Sequence, residues 1–400
     1  MKIAFVSPFK PSVVSDFLDN KDVPDIHKSS TALSLIVKGL VESGNEVVVY
    51  TYCREKRPYT RLEGKGITIH IISSYSCIKG SIIFSRFYMV NRLRDLIEKD
   101  IDTIDIIHAH WTYDYALAAS HFSSKVPVLC TVRDWCPKII KMQNNIPMLL
   151  YWIVSWCIFK IVMRKKINFV ANSDYIRHNV ETYLNKSNIP VIYNCIDVNK
   201  YKNNSVSTPR NPIFVSISQN ADYKLKNIDN LLKAFRIVHS EYPNSVLRLV
   251  GRGFEIGSEF YNKWGPTGLL EGVELLGYVD HDQLIELIHG SSCLVHPSLE
   301  ESFGNTLLEG IACKIPVIGG DKSGAVPYVL GHGEYGILCD VKNPSDIAKA
   351  MIRTIEDITM TVKKVNLAYN YLCRNFDMRV IISKHMSLYK KMLNKTHENK

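Results

Sequence analysis

The stretch LEESFGNTLLEG, Leu299 to Gly310, sets three carboxylates around a Phe-Gly turn and then runs into a helical pattern. The apolar run SCLVHP ahead of it reads as a buried strand, so the loop from Leu299 to Gly304 falls at a strand's carboxyl end, where α/β sheets bind their ligands. Leu307, Leu308, Ile311 and Ala312 recur at helical spacing, which predicts a helix opening at Asn305. The first N–H groups of such a helix, at Asn305, Thr306 and Leu307, have no carbonyl one turn back and carry the positive end of the dipole. That pattern predicts an anion site, with phosphate as the usual occupant. Glu309, alone on the first turns, would only complement the dipole. Glu301, eight residues earlier, gives it a partner across the loop. Two acceptors flanking an anion site suit a ligand with hydroxyls on both sides of a phosphate, which describes a nucleotide sugar. Glu300 acquires no role.

The elements that must position these residues alternate from end to end as strand-like and helical patterns, the signature of parallel sheets wound with helices. Ile3–Val6 is a strand, Leu33, Ile36, Val37, Leu40 and Val41 form one helix face ended by Gly44, and Val47–Tyr50 is the next strand. Further strands are predicted at Ile67–Ile71, Ile104–Ile107, Val126–Val132, Phe169–Ala171 and Val191–Tyr193. The polar stretch Asp197–Pro212 reads as a linker. Beyond it strands recur at Ile213–Ile217, Leu247–Val250, Val273–Leu276, Cys293–Val295 and Pro316–Ile318. The expected fold is two tandem Rossmann-like α/β domains, residues 1–197 and 198–375, with the active site in the cleft between them.

A chain of 400 residues, 46% hydrophobic and 22% charged, suits two globular domains. Ten cysteines without a CxxC pair read as reduced core thiols rather than a zinc site or a disulfide framework. The opening MKIAFVSPF reads as a first strand rather than a signal peptide, which predicts a cytoplasmic location. The net charge of +10 favours an anionic partner, a phosphorylated substrate or acidic lipid ahead of nucleic acid. Met148–Lys166, apolar over sixteen residues with Lys160 inside, is short of a bilayer span. It is expected to be a helix buried against the sheet, the alternative being peripheral contact with a membrane surface through its aromatic rings and Arg164, Lys165 and Lys166.

The run from Gly277 to Asp340, with HPSLEESFGNTLLEGIACKIPVIGGDKSGAVPYVL, resembles the signature of the retaining family 4 glycosyltransferases of GT-B fold. VIYNCID, KNIDNLLKAF, LVGRGFE and LLGYVDHDQLIEL are similar to that family's recurrent blocks, in order. The resemblance implies a nucleotide-sugar donor held by the second domain and an acceptor chosen by the first; the positive charge and the tryptophan-rich segment 148–166 point to a saccharide or lipid-linked saccharide acceptor, in surface polysaccharide or glycolipid assembly. It implies that Glu301 bonds hydroxyls of the donor sugar, Glu309 the ribose, and that Lys226 and the amides after Gly304 hold the diphosphate. Transfer then needs no metal cofactor, because a lysine and a helix N-terminus stabilise the departing diphosphate. The segment 376–400 resembles the family's terminal helix, which crosses back to the first domain.

The chain departs from that family at several points. Where the arginine of the phosphate clamp usually stands, the strand reads FVSISQN, offering Ser216 and Ser218, with Lys224 or Arg252 as substitutes. In place of a glycine-rich first loop stands HKSST, where Lys28, Ser29 or Ser30 would approach the phosphates. TVRDWCP puts Arg133-Asp134 where relatives carry a histidine, and arginine cannot accept a proton at working pH. Arg133 is expected either to touch donor or acceptor in catalysis or to pair with Asp134. His110 and Asp134 are placed on the acceptor side. His108 and His110, two residues apart, lack a third metal ligand at suitable spacing, and no metal site is expected. The competing functions are a sugar phosphorylase or nucleotide-sugar epimerase on the same fold, and a relative that binds nucleotide sugars or glycans without turnover.

Overall fold

The strand segments rich in Ile, Val and Phe are buried on both faces, as parallel strands covered by helices must be. The computed structural model describes residues 1–19, 22–24, 26, 30–53, 55–73, 82–143, 145–202, 211–220 and 224–398. It divides into two compact units, 1–195 with 378–400, and 196–377.

The first unit holds strands β1 (Lys2–Val6), β2 (Glu46–Cys53), β3 (Thr60–Gly64), β4 (Ile67–Ser73), β5 (Ile106–His110), β6 (Val128–Val132) and β7 (Asn168–Ala171). Their order is β3-β4-β2-β1-β5-β6-β7, and every neighbouring pair is parallel except β3 and β4. The order reverses at β1, which pairs with β2 on one side and β5 on the other. A crevice opens at such a switch point, beyond the carboxyl ends of the strands. The helix Met378–Glu398 completes the core of this unit, burying Ile381, Ile382, Tyr389 and Met392 against Ile36, Leu40 and the sheet. Gly39 gives that helix close approach, since a Cβ there would lie 2.5 Å from Ile382 Cγ1.

The second unit holds β8 (Ile213–Asn220), β9 (Val246–Arg252), β10 (Val273–Gly277), β11 (Cys293–His296), β12 (Val317–Gly320) and β13 (Ile337–Cys339), in the order β10-β9-β8-β11-β12-β13, all parallel. Its switch point lies between β8 and β11. The helix Ile228–Glu241 buries Leu231, Leu232, Phe235 and Val238 on one face, at the spacing its sequence shows.

Three expectations need correction. Val191–Tyr193 is not a strand: Val191 makes only an isolated bridge to Ala171. The helix Ile146–Met163 is not buried, because only 28% of it lies inside the fold. Its length and mean hydropathy of 1.9 would let it cross a membrane, and Ile146, Leu150, Ile153 and Ile161 are exposed. Ile158, Phe159, Val162 and Met163 toward its end are buried, so one edge seats the helix and the rest faces out. The cysteines are not uniformly core thiols either, since Cys157 is exposed and Cys339 and Cys373 are half-buried.

Candidate functional site

In the second unit, the segment after β8 and the segment after β11 meet at the switch point. Lys226 ends a short 3-10 turn, Lys224–Lys226, and its Nζ lies 2.5 Å from Glu301 Oε1. Backbone and amide bonds hold the two segments in register: Leu299 N–H donates to the Leu225 carbonyl at 2.8 Å. Asn227, in the left-handed conformation at φ 57°, donates through Nδ2 to the carbonyls of Pro297 and Val341. Behind the loop, Ala325 N–H donates to the Glu301 carbonyl at 2.8 Å, and Gly324 has no room for a side chain, because a Cβ there would sit 2.3 Å from that same oxygen.

His296, the last residue of β11, ties the acid to the following helix. Its Nε2 lies 3.1 Å from Glu301 Oε1 and its Nδ1 3.0 Å from Thr306 Oγ1. Both contacts are satisfied when Nε2–H donates to the carboxylate and Nδ1 accepts the threonine hydroxyl. Burial alone would raise the pKa of Glu301, but Lys226 and His296 outweigh it and hold the carboxyl well below the usual carboxylate range. Glu301 is therefore an anion at any working pH. Its Oε1 accepts twice, and Oε2 has no hydrogen-bond partner among the described residues.

The helix Asn305–Ala312 starts where the spacing places it, capped by Gly304 at φ 92°. One predicted donor is lost: the Leu307 N–H turns back to the Gly304 carbonyl at 3.0 Å and does not face a ligand. The first turn is tight, and Asn305 and Thr306 are the other two residues of the predicted donor set. Glu309 lies 3.9 Å from His281 Nε2, which is also 3.0 Å from the Tyr201 hydroxyl. Glu309 thus belongs to a second polar group of the same unit, apart from the Lys226–Glu301 pair. Ser218 is buried on β8, and Arg252, at the end of neighbouring β9, is exposed and stacks on the Tyr278 ring at 5.3 Å. Lys28 and Ser29 lie outside the described residues, whereas Ser30 caps the helix Thr31–Glu42 by accepting from Leu33 N–H.

In the first unit the residues after β5 and β6 form a separate polar cluster. Arg133 does not pair with Asp134. It donates through Nε to His110 Nδ1 at 3.0 Å and through Nη1 to Asn194 Oδ1 at 2.6 Å, while Asp134 accepts a short hydrogen bond from the Tyr113 hydroxyl. Burial lowers the pKa of Arg133 to about 10, which leaves it a cation, and raises that of Asp134 to about 6. His108 is occupied on both sides, by the Tyr389 hydroxyl at 2.6 Å and Thr131 Oγ1 at 2.7 Å, so it serves the core rather than a metal.

Two family models match, Glycosyl transferases group 1 over residues 197–370 and Glycosyltransferase Family 4 over residues 30–200. Together they span most of the chain. The chain belongs to the family 4 glycosyltransferases. A similar curated protein is N-acetyl-alpha-D-glucosaminyl L-malate synthase of Bacillus anthracis, 22% identical over 379 residues, covering 92% of this chain and 94% of the relative. Among solved structures, sucrose-phosphate synthase from Thermosynechococcus elongatus superposes with a TM-score of 0.80 at 15% identity, covering 99% of this chain and 100% of that one. HepE of Anabaena, solved in complex with UDP and glucose, has a TM-score of 0.69 at 18% identity, covering 98% and 100%. The fold of this glycosyltransferase is GT-B.

Sequence reasoning missed three parts of this glycosyltransferase's polar machinery. His296 stands directly before the motif loop, and no spacing rule shows that it joins the acid to the helix start. The Tyr201–His281 pair beside Glu309 comes from segments 80 residues apart, and no spacing rule connects them. Tyr113, the partner of Asp134, precedes it by 21 residues on a neighbouring strand end. The tyrosine-rich run WTYDY directly after β5 was the available signal.

Proposed function

We propose that this glycosyltransferase moves a hexosyl or N-acetylhexosaminyl group, with retention, from a uridine-diphosphate sugar to a saccharide acceptor in surface polysaccharide or glycolipid assembly. The observation that carries the reading is the Lys226–Glu301 pair at the switch point of the second sheet, directly ahead of a helix start. A lysine charge and the amides of Asn305 and Thr306 are the right groups for a departing diphosphate. Glu301, fixed as an anion with Oε2 unused, suits the sugar hydroxyls, and Glu309 suits the ribose. The complex of HepE with UDP and glucose supports the choice of base, and the name of the Bacillus anthracis relative supports an N-acetylglucosaminyl donor as the first alternative to glucosyl.

In the proposed chemistry the bond from the anomeric carbon to the diphosphate oxygen breaks through an oxocarbenium-like state. The acceptor oxygen bonds to the same face, and its proton passes to the leaving phosphate. Lys226 and the helix start take up the charge that develops, without a metal ion. Arg133, a cation held by His110 and Asn194, is no proton acceptor.

The test is transfer or hydrolysis of UDP-glucose, UDP-N-acetylglucosamine and GDP-mannose. Lys226→Ala is expected to lower kcat about 100-fold or more, the usual cost of removing a preorganised charge from the transition state. Glu301→Ala is expected to be similarly defective. Unchanged turnover in both variants would remove these residues from the reaction, and binding without turnover in the parent protein would support the non-catalytic relative instead.

A cytoplasmic location with peripheral membrane contact belongs to the same proposal. It is supported by the exposed apolar residues of the helix Ile146–Met163 beside exposed Phe84 and Phe87, with a net charge of +10. Co-flotation with anionic vesicles is expected for the parent protein and lost in the double variant Leu150→Gln, Ile153→Gln, at unchanged Tm because both positions are exposed.

A further inference from the structure

Beside Glu309 the second unit brings together a turn and two helices. Tyr201 ends the 3-10 turn Val198–Tyr201, and its ring is buried. The helix His281–His289 holds it from both ends: His281 Nε2 lies 3.0 Å from the Tyr201 hydroxyl, and His289 Nε2 donates to the Tyr201 carbonyl at 3.0 Å. The ion pair of Lys200 with Asp282, at 2.9 Å, ties the same two segments a third time. A capping box between Asp280 and Gln283 fixes the start of that helix, so the imidazole of His281 stands on a set backbone. Glu309, on the helix Asn305–Ala312, faces the pair with Oε1 3.9 Å from His281 Nε2. That separation is beyond hydrogen-bond range, and the carboxylate accepts no hydrogen bond among the described residues.

The protons of this group can be placed. Burial first, and then the charge of Glu309, holds the Tyr201 phenol well above its usual range, so it keeps its proton. His281 is the hydroxyl's only hydrogen-bond partner among the described residues. A hydroxyl that accepted from Nε2–H would leave its own O–H buried and unpaired, which is unfavourable and rare in native structures. Tyr201 therefore donates, Nε2 accepts, and the neutral ring carries its proton on Nδ1. The ring is 27% exposed, so water reaches its open side. The consequence falls on Glu309. Nε2 offers it no N–H, and the carboxylate, 19% exposed, keeps its lone pairs for a ligand. In the other tautomer Nε2–H would turn onto Oε1 and cap the acid before any hydroxyl reached it.

We propose that Tyr201 and His281 are positioning residues for nucleotide binding: Tyr201 holds His281 in the tautomer with Nε2 unprotonated, which keeps Glu309 open to the hydroxyls of the nucleotide's ribose. The inference rests on the reading of Glu309 as the ribose acceptor, and adds a control on whether that acceptor is available. Neither residue touches the reacting atoms, so the effect belongs in Kd and KM rather than in kcat.

Isothermal titration of the full chain with UDP, GDP and their 2′,3′-dideoxy forms measures the ribose contribution as a ratio of Kd values. The parent protein should bind the tighter ribonucleotide at least about tenfold better than its dideoxy form, the loss of a hydrogen bond to a charged group. In Tyr201→Phe the ratio should fall below about threefold, because the freed Nε2–H caps Glu309. Adding His281→Phe to Tyr201→Phe removes that donor, and the ratio should return to within about twofold of the parent. If the Tyr201–His281 bond merely held the turn on its helix, the double variant would be at least as defective as the single one. That result overturns the inference, as does a parent-like ratio in Tyr201→Phe. A ratio near one in the parent overturns the ribose reading of Glu309 and the inference with it, and is thereby distinguished from failure of the tautomer alone. Should Tyr201→Phe unfold, His281→Lys carries the test: a fixed ammonium donor beside Glu309 should bring the ratio close to one with Tyr201 in place, and an unchanged ratio overturns the inference.

Discussion

Asp134 and Glu301 show how differently one functional group behaves in the two units. Glu301 lies between Lys226 and His296 and stays ionised well below the usual range, whereas burial raises Asp134 to about 6 against the opposing effects of the Tyr113 hydroxyl and Arg133. A raised acid stabilises the fold fully below its unfolded pKa, 3.8 here, and that contribution disappears as pH climbs through the folded value. The parent protein should therefore lose stability relative to Asp134→Asn between pH about 4 and about 6, and the two Tm curves should run parallel above it. Curves parallel throughout would mean that Asp134 titrates normally. At this scale the sequence placed Glu301 and Lys226 beyond strand ends, where the structure brings them together, because a loop between an apolar strand and a helical pattern has few places to be. It did not disclose the partners. The Arg133–Asp134 pair expected from adjacency is replaced by Arg133–His110 and Tyr113–Asp134, since successive residues beyond a strand end point to different sides and choose neighbours from other strands.

Among the elements, the short helix Asn305–Ala312 carries most of the donor-side argument, and its geometry depends on Gly304. At φ 92° the residue lies where only glycine is comfortable, and a Cβ would sit 3.0 Å from Leu307 Cδ1. Gly304→Ala should cost roughly 1–2 kcal/mol in stability from the left-handed backbone alone. Because the same strain would shift the amides of Asn305 and Thr306, it should also raise the KM for the nucleotide sugar more than a neutral core substitution of equal destabilisation. Urea unfolding and donor kinetics on the same preparation separate the two effects, and a loss of stability without a change in KM would detach the helix start from the donor. Strand positions were legible where apolar runs were uninterrupted. β3, TRLEG, escaped because an edge strand alternates exposed and buried residues over too few positions to register. The exposed helix Ile146–Met163 was misjudged for the opposite reason: hydrophobicity on every side reads as burial unless another apolar surface is available to cover it.

The chain path makes the molecule's first unit discontinuous, 1–195 completed by 378–400, while 196–377 is one uninterrupted stretch. The closing helix is integral to the first core, because Ile381, Ile382, Tyr389 and Met392 are buried there and the Tyr389 hydroxyl supplies one of the two partners of buried His108. Burying side chains of this size is worth about 1.5–3 kcal/mol each, so four together approach the 5–15 kcal/mol that separates a typical folded domain from its unfolded chain. Residues 196–377 expressed alone should consequently fold cooperatively and retain UDP binding, with a thermal shift on adding the nucleotide. Residues 1–195 alone should not melt cooperatively, and adding a peptide of residues 378–400 should restore a transition whose Tm rises with peptide concentration. A fragment 1–195 that melts sharply without the peptide would show that the terminal helix only covers a core already complete, and Tyr389→Phe would then have no measurable effect on the Tm of the full chain.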